Sequence, residues 1–110
     1  MPDKLIIKGL AASIGEAEGI AKVFLPGDDA ASFPDGAIMV TILTDPTMVM
    51  AMMKASAIVS DMGGITSHPA ILSREMGIPC VVNTKIGTKL IKDGAKIKVD
   101  GAKGEVYELD

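Results

Sequence analysis

The sequence predicts a compact mixed α/β domain. Two uninterrupted apolar runs of strand length, residues 37–43 and 57–60, indicate strands that are buried on both faces. Start and stop signals for helices follow each run, and the last stretch of the chain has the pattern of a β-hairpin. This order of elements is that of one layered α/β unit, so we expect residues 1–110 to form a single domain.

The N-terminal part of the chain predicts strands followed by a loop. Residues 4–25 are β-rich and contain two apolar runs, which a glycine-marked turn at residues 15–19 separates. Residues 26–36 are mostly polar and contain two prolines, and they predict a loop before the first buried strand.

A first helix is predicted directly after the strand at residues 37–43. Asp45 supplies an acidic N-cap and Pro46 suits the first helical position, so residues 47–56 are interpreted as a helix of about three turns. Three of its methionines are expected in the core, with a methionine-rich peptide-binding groove as the alternative: Met48, Met52 and Met53.

A second strand–helix pair follows. The strand at residues 57–60 runs into a polar loop, and a short helix is predicted at residues 69–76 because Gly77 suits its C-terminal end. Pro79 then opens a third buried strand at residues 80–83.

The tail of the chain predicts a β-hairpin. Strands are expected at residues 95–100 and 105–109, because both stretches are rich in β-branched or aromatic residues. The glycine-containing segment 101–104 is expected to form the turn between them.

The composition predicts an aliphatic core and argues against several classes of function. Apolar residues make up 48% of the chain and include eight Met, whereas there are two Phe, one Tyr and no Trp. Methionine is an adaptable filler of such cores. The net charge is −3 and no basic patch alternates with aromatic side chains, so we expect neither nucleic acid nor a membrane as a partner.

The single cysteine excludes an intramolecular disulfide and leaves a zinc site short of ligands. The acidic side chains lack the spacing of metal ligands, so we expect no metal site in the chain. We find neither a leader-like segment nor an apolar run long enough to span a bilayer, and we therefore expect a cytoplasmic protein.

Residues 61–79, DMGGITSHPAILSREMGIP, contain the only histidine of the chain, at the predicted start of the short helix. The free N–H groups and the dipole of a helix N-terminus favour anions. Gly63 and Gly64 allow the backbone to approach a ligand closely, and Thr66 and Ser67 add hydroxyl groups. The stretch has neither the spacing nor the lysine of a P-loop, but it is suited to phosphate.

His68 adds a nucleophile to this loop. A neutral imidazole is nucleophilic near pH 7, and histidine forms covalent intermediates in enzymes. Donors in the loop would stabilise a phosphoryl group once it is attached. Arg74 lies six residues further along, and its long side chain could reach back toward that group. A lone histidine is more often structural, but in this context we predict that His68 is a phosphate carrier.

The stretch GGITSHPAILSREMGIPCVV resembles the swivelling phosphohistidine domain of the phosphoenolpyruvate-utilising enzymes. That family includes phosphoenolpyruvate synthase, pyruvate phosphate dikinase and the first enzyme of the bacterial sugar phosphotransferase system. SIGEAEGIAKV and DGAIMVTILTDPTMVMAMMKASAIVSDMGG are similar to the family's N-terminal turn and central segment, and DGAKIKVDGAKGEVYEL is similar to its closing hairpin. The resemblance covers essentially the whole chain and implies a compact three-layer β/β/α fold.

The resemblance also implies roles for individual residues. His68 would be phosphorylated on Nε2, within a loop formed by Gly63, Gly64, Thr66 and Ser67. Thr66 matches a regulatory phosphorylation site of some dikinases and is a candidate for such control. The other matching positions are the family's Arg–Glu pair, whose arginine would support the phosphate, and the turn after the helix: Arg74, Glu75, Gly77 and Pro79.

Three positions depart from the family's pattern. Pro69 replaces a small residue and is expected to stiffen the start of the helix. Asn83 stands where glycine is common, and Ile65 lacks the arginine found there in some synthases.

The resemblance implies a phosphoryl carrier that shuttles phosphate between two proteins. One would be an ATP-grasp-type kinase and the other a protein that binds pyruvate or phosphoenolpyruvate. Neither partner domain fits into 110 residues, so ATP and magnesium are expected on the partners and no cofactor on this chain. We expect a stand-alone component of a phosphotransferase that is not catalytically complete, with an excised domain of a larger phosphoenolpyruvate synthase-like enzyme as the alternative.

Two other functions stay open at this point. A regulatory or interaction module could retain the fold without being phosphorylated, which Pro69 and the missing partner domains would suit. A hydrolase that pairs Cys80 with His68 is less favoured, because Cys80 lies in an apolar stretch that is typical of a buried, inert thiol.

Overall fold

The computed structural model describes residues 3–109. The strands in this range are β1 Lys4–Lys8, β2 Leu10–Ser13, β3 Glu16–Val23, β4 Ile38–Thr41, β5 Ala57–Ser60, β6 Cys80–Val82, β7 Lys96–Asp100 and β8 Glu105–Glu108. The helices are α1 Val49–Met52, α2 His68–Met76 and α3 Gly87–Leu90, with short 3-10 helices at Ala30–Ser32 and Pro46–Met48. No helix in this range is long and apolar enough to cross a membrane.

The strands are hydrogen-bonded in the order β1-β8-β7-β3-β4-β5-β6-β2. The β3–β4, β4–β5 and β5–β6 pairs are parallel, and the other pairs are antiparallel. The long strand β3 belongs to both halves, because residues 16–20 pair with β7 and residues 21–23 pair with β4. The sheet therefore consists of two connected layers, with the parallel strands in one of them.

Two cores explain why the central strands are apolar on both faces. One face of β4, β5 and β6 packs against β7 and β8 through a set of β-branched side chains: Ile38, Val40, Val59, Val81, Ile97, Val99 and Val106. The other face packs against the helices and the 26–36 loop through a set that includes methionine and phenylalanine side chains: Met39, Ile58, Val82, Met48, Met52, Phe24 and Phe33. This arrangement confirms the β/β/α fold that the resemblance implied.

Most of the predicted elements are confirmed. β4, β5 and β6 lie within the predicted buried strands, α2 ends just before Gly77, and β7 and β8 form the closing hairpin. The predicted turn at residues 15–19 is wrong in extent, because residues 16–19 already belong to β3. The described part of the N-terminal segment, residues 3–25, contains three strands separated by Gly9 and by residues 14–15.

The first helix is much shorter than predicted. Asp45 is its N-cap, as expected, and its carboxylate accepts a hydrogen bond from the Thr47 N–H at 2.8 Å. Only a 3-10 turn and the four residues of α1 follow, because the Ser56 N–H donates to the Ala37 carbonyl at 3.0 Å and leads the chain into β5. Met48 and Met52 are buried as predicted, whereas Met53 is 65% exposed and lies outside the core.

Candidate functional site

The candidate site lies at the edge of the sheet where the parallel strands β4, β5 and β6 end. Thr44 follows β4, the loop of residues 61–67 follows β5, and residues 83–86 follow β6. Loops at the carboxyl ends of neighbouring parallel strands meet at one edge, which is where ligands bind to open α/β sheets.

Thr44 and His68 are in direct contact at this edge. The hydroxyl oxygen of Thr44 lies 2.7 Å from His68 Nδ1, and the imidazole is half-buried. The Met62 N–H donates to the Ile42 carbonyl at 2.9 Å, which continues the β4–β5 pairing past the strands and brings Thr44 to the start of α2. The sequence analysis did not identify Thr44. The prediction of two parallel neighbouring strands could have indicated it, because the segments that follow such strands lie at the same edge of the sheet.

This contact distinguishes the two ring nitrogens of His68. Nδ1 faces the Thr44 hydroxyl, whereas no hydrogen bond within residues 3–109 engages Nε2. When Nδ1–H donates to Thr44 Oγ1, Nε2 carries the lone pair and is the nucleophilic atom. A hydroxyl group both donates and accepts, so Thr44 can hold Nδ1 whether or not it is protonated.

The loop before His68 is closed by Ser67. Its hydroxyl donates to the Gly64 carbonyl at 2.7 Å, and its N–H donates to the same oxygen at 3.1 Å. Gly63 has a φ of +115°, and a Cβ there would lie 2.8 Å from Ser67 Oγ. Gly64 has open space where a Cβ would stand. Ser67 therefore shapes the loop, and its hydroxyl proton is already used, which the sequence analysis did not anticipate.

Several N–H groups of the loop and helix start are left for a ligand. Within the described range, the N–H groups of residues 63–66 form no hydrogen bond, and the same holds for those of His68 and Ala70. Pro69 has no N–H, and the Ile71 N–H already donates to the Ser67 carbonyl at 3.0 Å. Thr66 is exposed. The donors that could contact an anion are thus mainly main-chain amides.

Arg74 connects α2 to two other segments. Its Nε donates to the Ala12 carbonyl of β2 at 2.7 Å, and its terminal nitrogen donates to the Ile65 carbonyl in the loop. The guanidinium thus holds the loop against β2. Glu75 is exposed on α2, two turns beyond His68 on the same face.

Asp45 places a carboxylate close to the site. Hydrogen bonds from the Thr47 hydroxyl and from the Thr47 N–H lower the pKa of Asp45, and the nearby His68 contributes in the same direction. Asp45 is therefore an anion at neutral pH. Asp45 therefore adds a negative charge to the edge of the sheet around His68.

Asp61 anchors the neighbouring loop, and sequence reasoning missed it. The side chain is buried, and one carboxylate oxygen accepts from the Thr88 N–H at 3.0 Å and from the Thr84 hydroxyl at 3.1 Å. The other oxygen accepts from the Thr88 hydroxyl. The sequence feature that could have identified Asp61 is its position directly after a buried strand. Asp61 therefore fixes the segment after β6 to the root of the His68 loop.

The segment after β6 contains Asn83, one of the departures from the family's pattern. Asn83 has a φ of +58°, a conformation that asparagine tolerates better than most residues. The substitution for glycine is thus compatible with the turn. Lys85 also has a positive φ, +70°, and its N–H donates to the Asp61 carbonyl at 2.9 Å.

Cys80 lies away from this edge, in the core between the sheet and the helices. It is fully buried, and burial raises the pKa of its thiol to about 11. A thiol with this environment is a poor nucleophile, so the geometry does not support a hydrolase that pairs Cys80 with His68. Within residues 3–109, no three His, Cys, Asp or Glu side chains come together as a metal site requires.

Known structures share this fold in proteins of different function. A solution structure of Enzyme I (nEIt) is 28% identical, with a TM-score of 0.65, over 76% of this chain and 35% of that chain. The holo-form of aconitase X from Thermococcus kodakaraensis is 25% identical, with a TM-score of 0.70, over the full length of both chains. The fold alone therefore does not select a function, and the site has to do so.

Sequence similarity identifies a family, which the shared fold alone does not. The phosphoenolpyruvate synthase of Pyrococcus furiosus is 50% identical over 105 residues, which are 96% of this chain but 13% of that protein. This chain thus spans about an eighth of that relative. The family described as "PEP-utilising enzyme, mobile domain" matches residues 33–104, which include His68, the loop before it and the strands β4 to β7. The chain therefore belongs to the mobile-domain family of the PEP-utilising enzymes.

Proposed function

We propose that this chain is a phosphoryl carrier. His68 accepts a phosphoryl group on Nε2 from a nucleotide-binding partner and delivers it to a partner that binds pyruvate or phosphoenolpyruvate. The observation that supports this most directly is the 2.7 Å contact between Thr44 Oγ1 and His68 Nδ1, which leaves the other ring nitrogen for chemistry. The similarity to phosphoenolpyruvate synthase supports the choice of partners.

Loading of His68 is a nucleophilic displacement at phosphorus. The lone pair of Nε2 attacks the phosphorus atom, the N–P bond forms, and the P–O bond to the donor breaks with its electron pair going to the leaving oxygen. In delivery, Nδ1 takes up a proton from solvent, an oxygen of the acceptor attacks the same phosphorus, and the electron pair of the N–P bond returns to Nε2, which restores the neutral ring with Nδ1–H.

Thr44 serves both stages through its hydroxyl. Before loading, Thr44 Oγ1 accepts a hydrogen bond from Nδ1–H, which selects the tautomer with a free Nε2 lone pair. After loading, when Nδ1 loses its proton to solvent, the hydroxyl donates to Nδ1 instead. The ring is thus held in one orientation throughout, which keeps Nε2 aimed away from Thr44.

In our proposal, the loop and the start of α2 donate hydrogen bonds to the phosphoryl oxygens. The unbonded N–H groups of residues 63–66 and the N-terminus of α2 are the donors in our proposal. A hydrogen bond to a charged group contributes about 1.5–3 kcal/mol. Ser67 and Arg74 keep the loop in shape, and the space beside Gly64 leaves room for the donor or acceptor.

Thr66 is a candidate point of control in this proposal. It is exposed and lies two residues before His68. A phosphate on its hydroxyl would place like charge beside the phosphoryl group of His68 and would therefore oppose loading.

Catalysis requires partners, because this chain spans about an eighth of the synthase relative. We propose that ATP and magnesium bind to the donor partner and that phosphoenolpyruvate or pyruvate binds to the acceptor partner. The chain alone is then a substrate and product of transfer without turnover of its own, and we propose that it works in the cytoplasm, where nucleotide donors are available.

Phosphoramidate, a small phosphoryl donor that needs no docking protein, tests the competence of His68. We expect intact-mass measurement to detect one added phosphoryl group, stable to alkali and labile to acid, on the wild type and none on His68→Ala. Because the chain has one histidine, ¹⁵N NMR of its imidazole assigns the phosphorylated nitrogen without ambiguity, and we expect Nε2.

Three results would count against the carrier function. Label that persists in His68→Ala would place the phosphate elsewhere. Phosphorylation at Nδ1 would contradict the role given to Thr44. A wild-type chain that stays unphosphorylated would favour a module that keeps the fold for interaction only.

A further inference from the structure

We propose that the negative charge of Asp45 limits how long His68 retains a phosphoryl group. The proposal rests on the carrier function of His68 and adds a residue that sets the energetics of transfer. Asp45 directly follows Thr44, whose hydroxyl oxygen lies 2.7 Å from His68 Nδ1. A negative charge held at this position opposes loading of the ring and favours delivery.

The backbone and the side chain of Asp45 are both held in place. Proline disfavours helical backbone for the residue before it, and Asp45, which precedes Pro46, is extended, with a φ of −136° and a ψ of 171°. Its carboxylate accepts hydrogen bonds from the Thr47 N–H at 2.8 Å and from the Thr47 hydroxyl. The charge therefore has a defined position at this edge of the sheet.

Helix capping does not explain why residue 45 is charged. Asparagine and serine accept the same N–H hydrogen bond at an N-cap about as well as aspartate does. The helix that Asp45 caps is the 3-10 turn Pro46–Met48, and only the four residues of α1 follow it. The cap thus requires an acceptor oxygen at this position but not a negative charge.

The charges of Asp45 and His68 interact. Hydrogen bonds from Thr47 are the main cause of the lowered pKa of Asp45, and a positive charge on His68 is a further cause. Electrostatic interaction is mutual, so the carboxylate also acts on whatever charge the imidazole and its phosphoryl group carry. Both side chains are only half-buried, so dissolved salt screens this interaction.

The sign of the effect follows from the charges at each stage of transfer. A phosphoryl group on Nε2 brings negative charge, which the carboxylate repels. For delivery, Nδ1 takes up a proton, and the carboxylate stabilises the resulting positive charge on the ring. The acceptor oxygen then attacks phosphorus, the electron pair of the N–P bond returns to Nε2, and the neutral ring with Nδ1–H remains. Both interactions therefore favour departure of the phosphoryl group.

Other carboxylates near this edge differ from Asp45 in their surroundings. The side chain of Asp61 is buried, and it accepts hydrogen bonds from the N–H and the hydroxyl of Thr88. Glu75 lies seven residues after His68, about 10 Å along α2. Asp45 thus combines a fixed carboxylate with a position next to the residue that holds the ring.

The experiment uses substitutions that remove the charge but retain an acceptor oxygen. Asp45→Asn should keep the hydrogen bond from the Thr47 N–H, and Asp45→Ser provides a second neutral N-cap. The matched control is Asp29→Asn, because the exposed Asp29 caps the other 3-10 helix through the Ala31 N–H at 3.0 Å and precedes β4.

The wild type and the variants are phosphorylated with phosphoramidate and freed of the donor. Intact-mass measurement near pH 7 then follows loss of the phosphoryl group to water, at ionic strengths of about 0.01 M and about 1 M. The rate of loading from phosphoramidate is measured under the same two conditions.

At low ionic strength we expect Asp45→Asn and Asp45→Ser to retain the phosphoryl group about threefold longer than the wild type and to load about threefold faster. At about 1 M salt the screening length is about 3 Å, and all proteins should agree within about 1.5-fold. Asp29→Asn should stay within about 1.5-fold of the wild type under both conditions, because its charge is not held beside Thr44.

Several results would overturn the proposal while leaving the carrier function intact. One is an unchanged lifetime of the phosphoryl group in the Asp45 variants at low salt. Another is a difference that persists at about 1 M salt or that only one neutral N-cap produces, since neither would come from charge. An equal effect of Asp29→Asn would reflect net charge alone. A wild-type chain that phosphoramidate does not phosphorylate would instead remove the carrier function, and this proposal with it.

Discussion

The imidazole of His68 has one nitrogen held by a hydroxyl and one nitrogen free of intramolecular hydrogen bonds within the described residues. A single side chain, Thr44, creates that difference. At the scale of single residues, the proposal therefore depends less on His68 itself than on the atoms that orient it and on the backbone that positions it.

Thr44→Val keeps the shape of the side chain but removes both the donor and the acceptor. We expect labelling by phosphoramidate to slow about tenfold or more, because a hydrogen bond to a group that becomes charged contributes about 1.5–3 kcal/mol. We also expect ¹⁵N NMR to detect Nδ1 phosphorylation that the wild type lacks. Thr44→Ser retains the hydroxyl and should stay close to the wild type. Unchanged rate and nitrogen selectivity in Thr44→Val would remove Thr44 from the mechanism.

The two adjacent glycines of the loop should respond differently to alanine. Gly63→Ala places a Cβ 2.8 Å from Ser67 Oγ at a φ of +115°, so we expect a loss of about 1–3 kcal/mol in the free energy of unfolding. Gly64→Ala meets no atom within 4 Å, and its effect on denaturant unfolding should stay within about 0.5 kcal/mol.

Gly64→Ala then separates stability from function. If partners approach through the space beside Gly64, labelling by the Pyrococcus furiosus synthase should slow while labelling by phosphoramidate stays the same. Equal stability losses in the two glycine variants would contradict the backbone geometry described for the loop.

The buried thiol of Cys80 gives a prediction about pH. Its pKa is about 11 in the folded chain, against 9.0 for an unperturbed thiol, so the folded state keeps the proton that the unfolded state releases between these values. The free energy of unfolding should therefore be independent of this group below pH 9 and fall as the pH rises toward 11.

Denaturant unfolding of the wild type and of Cys80→Ala should be compared between pH 8 and 11. The difference between the two proteins isolates the effect of the thiol from the titration of the lysines and of Tyr107, which both proteins share. At pH 8 we also expect iodoacetamide to alkylate Cys80 in the unfolded chain but scarcely in the native one. Rapid alkylation of the native protein would mean that the thiol is accessible after all.

At the scale of elements, the site depends on loops that are fixed at their roots. Asp61 stands at the first position after β5, and its carboxylate accepts hydrogen bonds from Thr84 and from the N–H and hydroxyl of Thr88. A Cβ on Gly87 would lie 2.7 Å from Thr84 Oγ1 in the same network. The loops after β5 and β6 are thus one connected unit.

Asp61→Ala would leave the N–H and the hydroxyl of Thr88 without their acceptor, whereas the Thr84 hydroxyl would keep the Ser60 carbonyl at 3.2 Å as its acceptor. We expect the free energy of unfolding to fall by about 2–4 kcal/mol, since groups that lose a charged partner inside a protein are costly. Asp93→Ala is a suitable control, because Asp93 accepts one exposed hydrogen bond, from the Val23 N–H, and should cost about 1 kcal/mol. A smaller loss in Asp61→Ala than in Asp93→Ala would contradict the anchoring role.

The strands and α2 could be predicted because their signals are local. β4 and β5 are continuous apolar runs, and α2 carries Pro69 near its start and Gly77 after its end. The length of α1 could not be predicted from its methionines, because the hydrogen bond from Ser56 to Ala37 that ends it joins residues from different elements. The single turn of α3 has too few residues to produce a helical pattern.

The same distinction applies to the site. His68 and the loop around it are contiguous in the sequence, and their residue types predict phosphate chemistry. Thr44 and Asp61 act through partners 24 and 27 residues away, and only the pairing of β4, β5 and β6 brings them into place. Arg74 was expected near the phosphate, but its reach to Ala12, 62 residues away, follows from the position of β2.

At the scale of the whole molecule, β3 and the closing hairpin both help to join the two layers of the sheet. β3 runs through both of them, and the turn of the closing hairpin packs against the end of β2. At that second junction the Gly101 N–H donates to the Gly15 carbonyl at 2.8 Å. β2 in turn holds Arg74, and through it the His68 loop, so the hairpin is connected to the site.

Gly101→Ala tests whether the layers unfold as one unit. A Cβ there would stand 1.9 Å from the Ser13 carbonyl oxygen, and a backbone atom cannot move aside cheaply, so we expect a loss of about 3 kcal/mol or more. Lys103→Ala, in the same turn but exposed, should change stability by less than about 0.5 kcal/mol.

Tyr107 fluorescence reports on β8, and the NMR signals of His68 report on the site edge. Because β3 and the hairpin junction couple the layers, both probes should have the same denaturation midpoint in the wild type and should shift together in Gly101→Ala. A shift of the Tyr107 transition alone would mean that the hairpin layer unfolds independently and does not support the site.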